Sequence, residues 1–347
     1  MRSSDEGNRP RWAGQPGFFE IWFLVVFDPA AARAWWFRYT IFAPAPGQPG
    51  APRATLWAAA FAAGASEPAI AVKRIMPIEV FDAGPSHLFA VRMGPSELTS
   101  GFARGEVEAG GHRIAWELRY PADGYAVERG PRLLRRRSLP VHVAHANSDL
   151  VCTGWVEVDG TRHVLRDAPG IQKHIWGTRR VEELFWLFCP RFAEDPRARL
   201  EASSARLRST PGAGLAGRAV TPIWLGTDTG ERSWCGLPAL LWNRVEVPGP
   251  GELRFRGVSA TRAVTAHARC DPRTLAGYVY RDPGGWDVHV AQSDVGSCAV
   301  ELFARPHPLA GWRPAGRLSS PHTAALEFHA REPLPGVRYI PWDATHA

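Results

Sequence analysis

The stretch "APGIQKHIWGTRRVEELFWLFCPRF" (168–192) sets the reading of the whole chain. A lysine, a histidine, a tryptophan and two arginines fall between residues 173 and 180, and apolar sequence resumes almost at once. On the two-residue repeat of an extended chain, His174 and Trp176 project from one face and Lys173 and Ile175 from the other. Gly177 lets the chain turn, Arg179 and Arg180 fall outside it, and "LFWLFCPRF" reads as a fresh strand with Trp186 and Phe188 on one side. The segment is therefore strand, loop, strand, with its polar groups either in a solvated turn or aimed into a pocket.

The same period recurs along the chain. In "TLWAAAF", Thr55, Trp57, Ala59 and Phe61 share a face; in "IAWELRY", Ile114, Trp116, Leu118 and Tyr120 line one face while Glu117 and Arg119 point away. Turn formers such as "VDGT", "TDTGE" and "DPGG" separate these runs, as hairpins require. The alanine-rich "DPAAARAW" is the one fair helical candidate, and it is short. The spacing predicts an all-β chain of two lipocalin-like antiparallel barrels in tandem. Boundaries follow at 17–195 and 196–338, with a flexible tail at 1–16 and another at 339–347.

Composition agrees with that class. The chain has 347 residues, 45% hydrophobic and 22% charged, with 15 tryptophans, 34 glycines and 31 prolines. Many aromatics among frequent turn formers suit short strands. Much of the net charge of +7 sits in "RGPRLLRRRSLP" (129–140), which no nucleic-acid motif accompanies, so it reads as a solvated basic loop and no nucleic-acid partner is expected. The first residues carry charges without an apolar h-region, and "IWFLVVF" (21–27) is far too short to span a bilayer, so a cytoplasmic protein with no membrane segment is expected. Five cysteines (152, 189, 235, 270, 298) are widely spaced and odd in number, which predicts reduced, mostly buried thiols.

Several sharper motifs fail their context. "GAGLAG" (212–217) matches a dinucleotide fingerprint, but Pro211 precedes it and the segment after it carries Pro222 and β-branched residues where a helix would have to open. His142 and His145 are spaced i, i+3, which in an extended segment places them on opposite faces, with no third ligand at metal spacing. Neither a nucleophile elbow, a P-loop nor HExxH is present. No metal and no cofactor are therefore expected.

His174 and Trp176 remain, with Glu201 and Ser203 at i, i+2 on a later strand. Inside an aromatic barrel, a histidine beside a glutamate would be a proton-transfer pair, burial keeping the acid protonated, and a tryptophan face could hold developing positive charge. The alternative is a structural histidine bonded to backbone near a barrel rim, with Glu201 toward solvent.

The "HIWG" element and the Trp-rich strand after it resemble the D-H-N-W-G type motif of the carotenoid 1,2-hydratase family. That family belongs to a group of double lipocalin-like proteins that includes AttH-like proteins and fungal Diels–Alderases. "FFEIWFLVVFDP" with "AWWFRYTIFAP" resembles the group's first strand and its hairpin partner. The resemblance implies catalysis by His174 and Trp176. The Tyr-x-Asp pair of the hydratases is absent, and its place falls near Glu201 and Ser203; Glu201 is our inferred replacement for the acid. Ile175 and Lys173 stand where the family has asparagine and aspartate. The resemblance implies a cofactor-independent cyclase, isomerase or hydratase of a hydrophobic polyene, terpenoid or polyketide, or else a non-catalytic carrier of such a ligand. Glu20, Trp22, Tyr39 and Trp57, with Trp116, Trp186 and Ser203, are then the expected walls of the cavity. Lys173, Arg179 and Arg180 are expected at its rim or in solvent.

Overall fold

A computed structural model describes residues 4–64, 68–84, 89–122, 139–206, 219–228, 230–235 and 241–339. The basic run, except for residues 139 and 140, and the "GAGLAG" segment lie outside the described residues. The molecule is built on two large antiparallel sheets. The first contains β1 (Phe18–Asp28), β2 (Arg33–Ala43), β3 (Arg53–Ala62), β4 (Ile70–Pro77), β5 (Phe81–Asp82), β6 (Ala90–Met93), β7 (Ser96–Thr99), β8 (Phe102–Ala109), β9 (His112–Arg119), β10 (Val141–Val158) and β11 (Thr161–Gly177). Its order is β4-β3-β2-β1-β11-β10-β9-β8-β7-β6-β5, and it curls until β4 lies back against β8 and β9.

The second sheet contains β12 (Glu183–Cys189), β13 (Arg199–Arg206), β14 (Ile223–Thr227), β15 (Gly230–Trp234), β16 (Arg244–Gly249), β17 (Glu252–Val258), β18 (Arg262–Arg269), β19 (Ala276–Arg281), β20 (Asp287–Ala304) and β21 (Arg313–Ala330). Its order is β15-β14-β13-β12-β21-β20-β18-β17-β16, with β19 paired to β20. Each sheet thus joins its first long strand to its last, β1 to β11 and β12 to β21. This is the expected all-β, tandem lipocalin-like architecture.

Three apolar layers hold it together. Trp22, Trp35, Phe37, Tyr39 and Trp116 fill the inside of the first sheet. Leu187, Leu225, Phe255, Val300 and Phe328 fill the second. Phe19, Ile21, Phe23, Val25 and Phe27, from the other face of β1, meet Trp186, Phe188, Tyr278 and Tyr280 between the sheets. β1 is buried on both faces, which is why its sequence is a continuous apolar run. Fully burying each such side chain is worth about 1.5–3 kcal/mol. Packing is tight enough that the Trp116 ring rests on Gly105, where a Cβ would sit 2.2 Å from the indole.

Three expectations need correction. The change of sheet falls between Gly177 and Glu183, not at 195, because the apolar face of β12 pairs with β21. "DPAAARAW" is no helix: its residues 29–32 are the turn between β1 and β2, with Asp28 accepting from the backbone N–H groups of Ala30 and Ala31. The expected flexible tail at 1–16 includes a short helix, α1 (Ser4–Asn8), and the chain just after it is fastened to the first sheet, as described below. Of the expected C-terminal tail only Tyr339 is described, and it bridges to Gly277. Among the described residues no helix is long and apolar enough to cross a membrane.

Candidate functional site

The pleat of β11 divides the site. His174 pairs across the ladder with Trp22, Trp176 with Glu20, and all four face the inside of the first sheet. The His174 ring stacks on Trp22 at 4.8 Å between centroids and lies 4.5 Å from Trp176. It is wholly buried, and both nitrogens face oxygens: Nε2 is 2.8 Å from Glu20 Oε1, and Nδ1 is 2.8 Å from the Gly7 carbonyl. Glu20 also accepts from the backbone N–H groups of Arg11 (2.7 Å) and Trp12 (2.8 Å), and Trp22 Nε1 donates to the Asn8 carbonyl. The N-terminal segment is thereby clamped over this end of the barrel. Trp176 is only half-buried, with His142 stacked on it and the Arg11 guanidinium over its ring.

Tyr39 and Trp116 are on the same inner side and are filled in by neighbours. Tyr39 Oη reaches the carbonyls of Glu97 (3.0 Å) and Arg104 (2.8 Å), and Phe37 stacks on Trp116 at 4.5 Å.

The opposite face of β11 does not look into solvent. Lys173 is buried between the sheets, where its ammonium lies over the Trp186 ring and donates to Glu201 Oε1. Glu201 Oε1 also accepts from Trp186 Nε1 (3.1 Å), and Oε2 is 3.1 Å from His145 Nδ1. Glu201 is thus not the partner of His174. β13 belongs to the second sheet, so its inward acid meets Lys173, the residue that the pleat sends the other way. Trp186 and the half-buried Ser203, cross-strand neighbours, share this layer, as does Trp57.

Register continues the row. Lys173, Phe23, Arg38, Trp57 and Lys73 are successive cross-strand partners on β11, β1, β2, β3 and β4. Toward the β4 side the layer opens as a cleft, most of whose space lies at its solvent-facing mouth, walled by Phe42, Trp57 and Tyr280 and lined by five cations. Arg180 is buried there, not at a rim in solvent. Its guanidinium lies over Tyr280 and Phe19, and its backbone N–H donates to Asp282. Burial first, and then the neighbouring Arg38, push Arg180 down to about 9. Arg179 is exposed. On the second sheet, burial would raise the Glu327 carboxyl, but His329, Arg38 and Lys173 together hold it below its usual value.

Lys173, His145, Arg38 and Arg180 were not identified as site residues from sequence. The usable signal was a cation in the middle of an apolar strand: Arg38 in "AWWFRYTIF" and Lys173 in "GIQKHIW". His145 gave none, because β10 and β11 slip register between Ala144 and Asn147. Among the described residues no group of three or more His, Cys, Asp or Glu side chains is placed to hold a metal ion.

No family model matches the sequence, and no curated protein does. Solved structures do match in fold. An AttH-like protein of Nitrosomonas europaea superposes with a TM-score of 0.53 at 10% identity, covering 90% of this chain and 92% of its own. Kievitone hydratase of Nectria haematococca gives 0.54 at 8%, covering 96% of each chain. CghA, also solved with Sch210972, gives 0.57 at 12%, covering 97% and 94%. The chain shares the fold of these proteins over nearly its whole length.

Proposed function

We propose that the protein is an enzyme that cyclises, isomerises or hydrates a hydrophobic small molecule, without a cofactor, in the layer between the two sheets. One observation carries this reading: Lys173 and His145 both reach the buried Glu201 carboxylate, one at each oxygen, among Trp186, Trp224 and Phe23. Acid and base groups held in an apolar layer are what positioned proton transfer requires, and such transfer contributes about 10²–10⁴-fold in rate. Glu201 is the proton carrier, His145 its exchange partner, and Lys173 fixes the carboxylate. The Trp186 and Trp57 rings wall the layer and hold the Lys173 and Lys73 ammonium groups in place. The cleft is the way in: its inner residue Arg38 stands two strand spacings, about 10 Å, from Lys173, and Trp57 three, about 14 Å. The likeness in fold to kievitone hydratase supports hydration as one of the three reactions.

His174 and Trp176 take a different part from the one their motif suggested. With both ring nitrogens engaged, His174 positions the N-terminal segment, and Trp176 covers it. Carriage of an apolar ligand without conversion is the competing reading, and it too falls to the layer between the sheets, because the first barrel is filled with its own tryptophans.

The test begins with mass spectrometry of organic extracts from the purified protein. A co-purified apolar molecule or its precursor is then incubated with wild type, Glu201→Gln and the double variant Lys173→Met/Glu201→Gln. Turnover by wild type that falls at least a hundredfold in both variants, with ligand still bound, is expected. Return of the molecule unchanged by wild type establishes the carrier. Full turnover by Glu201→Gln refutes the assigned chemistry.

A further inference from the structure

The cleft that opens the inter-sheet layer has a charge that the proposed reaction on an apolar molecule does not use. Arg38, Arg53, Lys73, Arg180 and Arg281 all line it, and among the described lining residues there is no carboxylate. The acids that reach these cations do so from the side or from below. Asp287 lies 2.6 Å from Arg281, Asp282 takes the Arg180 backbone N–H, and Glu327 acts on Arg38 and Arg180 from within the layer while it pairs with His329 at 2.8 Å.

The cations are held in place by rings: Arg38 is 3.9 Å from the Tyr280 centroid, Arg53 is 4.7 Å from Phe42 and Lys73 is 4.9 Å from Trp57. They also crowd one another, since Arg53 is pushed down by burial and then by Arg281. Two buried hydroxyls in the lining, Thr40 Oγ1 and Tyr280 Oη, have no hydrogen-bond partner among the described residues. Those residues are only 6% and 4% exposed. A buried hydroxyl without a partner is costly, and an acceptor brought to the cleft would relieve each of these.

We infer that the cleft binds a small molecule that joins an anionic group, carboxylate or phosphate, to an aromatic or polyene body. The anion is taken by the guanidinium forks of Arg38 and Arg53 with the Lys73 ammonium, and by the Thr40 and Tyr280 hydroxyls. The body lies at the mouth, along Phe42 and Ile75, since Trp57 and Tyr280 meet each other edge to face at 5.7 Å. Planar guanidinium groups suit both oxyanions bidentately. The inference rests on the inter-sheet layer being the substrate site, and it adds the class of substrate: an acid.

The test is calorimetric titration of the full chain with three probes that share one ring system: 1-naphthoate, 1-naphthyl phosphate and uncharged 1-naphthalenemethanol. One or both anions are expected to bind at least tenfold more tightly than the alcohol, and the tighter of the two identifies the oxyanion. Salt from 50 to 500 mM should weaken anion binding and leave alcohol binding unchanged. Arg53→Gln and Lys73→Gln, both at the half-buried mouth, should each weaken anion binding about tenfold with melting temperature unchanged. Equal binding of alcohol and anions overturns the inference, as does anion affinity that survives the double variant Arg53→Gln/Lys73→Gln. Competition with the co-purified molecule separates the two readings: anion binding in the cleft together with full turnover by Glu201→Gln removes the assigned chemistry and leaves the anion site standing.

Discussion

Removing one member of the Lys173–Glu201 pair should destabilise the protein far more than removing both. The side chains are 7% and 2% exposed, so neither charge is screened by water. Loss of one partner from a buried pair strands the other and typically costs 3–5 kcal/mol. In Lys173→Met, Glu201 keeps the Trp186 N–H and His145, so the lower end, about 3 kcal/mol, is expected. In Glu201→Gln, the stranded ammonium keeps the face of Trp186, and a similar loss of about 3 kcal/mol follows. The double variant Lys173→Met/Glu201→Gln has no stranded charge, and its amide oxygen still accepts from Trp186 Nε1. It should come within about 1 kcal/mol of wild type. Urea unfolding of the four proteins closes a double-mutant cycle with a coupling of about 5 kcal/mol. Two singles that each cost under about 1 kcal/mol and simply add are the behaviour of a solvent-facing pair, and would refute the buried placement.

Two further outcomes follow from groups elsewhere in the fold. Glu20→Gln turns one oxygen into an N–H₂ that faces the Trp12 N–H, so the clamp on the N-terminal segment loosens by about 1–3 kcal/mol; trypsin should cut after Arg11 at least tenfold faster, read by mass spectrometry, and an unchanged rate would show that Glu20 holds nothing. Asp294 is wholly buried, and desolvation raises its carboxyl to about 8, even though Gln292 Nε2 donates to both oxygens. The folded state therefore holds this proton longer than the unfolded chain. Its contribution to stability is fully present below the ordinary aspartate value of 3.8 and is lost as pH rises to about 8. Asp294→Asn should remove that slope and raise stability at pH 7 by about 4 kcal/mol, from 1.36 kcal/mol per pH unit; parallel stability–pH curves for the two proteins would contradict it.

The elements that were legible in sequence are those with one clear period. β3 and β9 stand where the alternation of "TLWAAAF" and "IAWELRY" puts them, and β1 and β2 where the apolar runs "IWFLVVF" and "AWWFRYTIFAP" do. The longest strands were read in pieces. β11 contains Pro169 and Gly170, and Asp167 takes a positive φ of 50°, so its continuous 17 residues look like two strands and a turn. β21 begins with the largely exposed "RPAGRL", and only 323–330 reads as strand. At the site, the pleat correctly separated His174 from Lys173. What sequence could not supply was the environment of the second face. A strand in an isolated barrel has water on its outside, and only the arrival of a second sheet turns Lys173, Arg38, Arg180 and Glu201 inward.

That shared layer has a consequence for synthesis on the ribosome. When Gly177 emerges, the first sheet can pair fully, β11 closing on β1, yet Phe19, Ile21, Phe23, Trp36 and Trp57 have nothing to cover them. Their cover includes Trp186 and Phe188 on β12, which gains its second neighbour only when β21, the last strand, is made. At about 5–20 residues per second, the stretch from Glu183 to Ala330 takes roughly 8–30 s. For that interval a half-made chain presents an aromatic, strand-edged surface to solvent or to any chaperone that meets it. Expression cut short after Gly177 should accordingly yield inclusion bodies or chaperone-bound chain, and co-expression of residues 178–347 as a separate chain should bring it into solution.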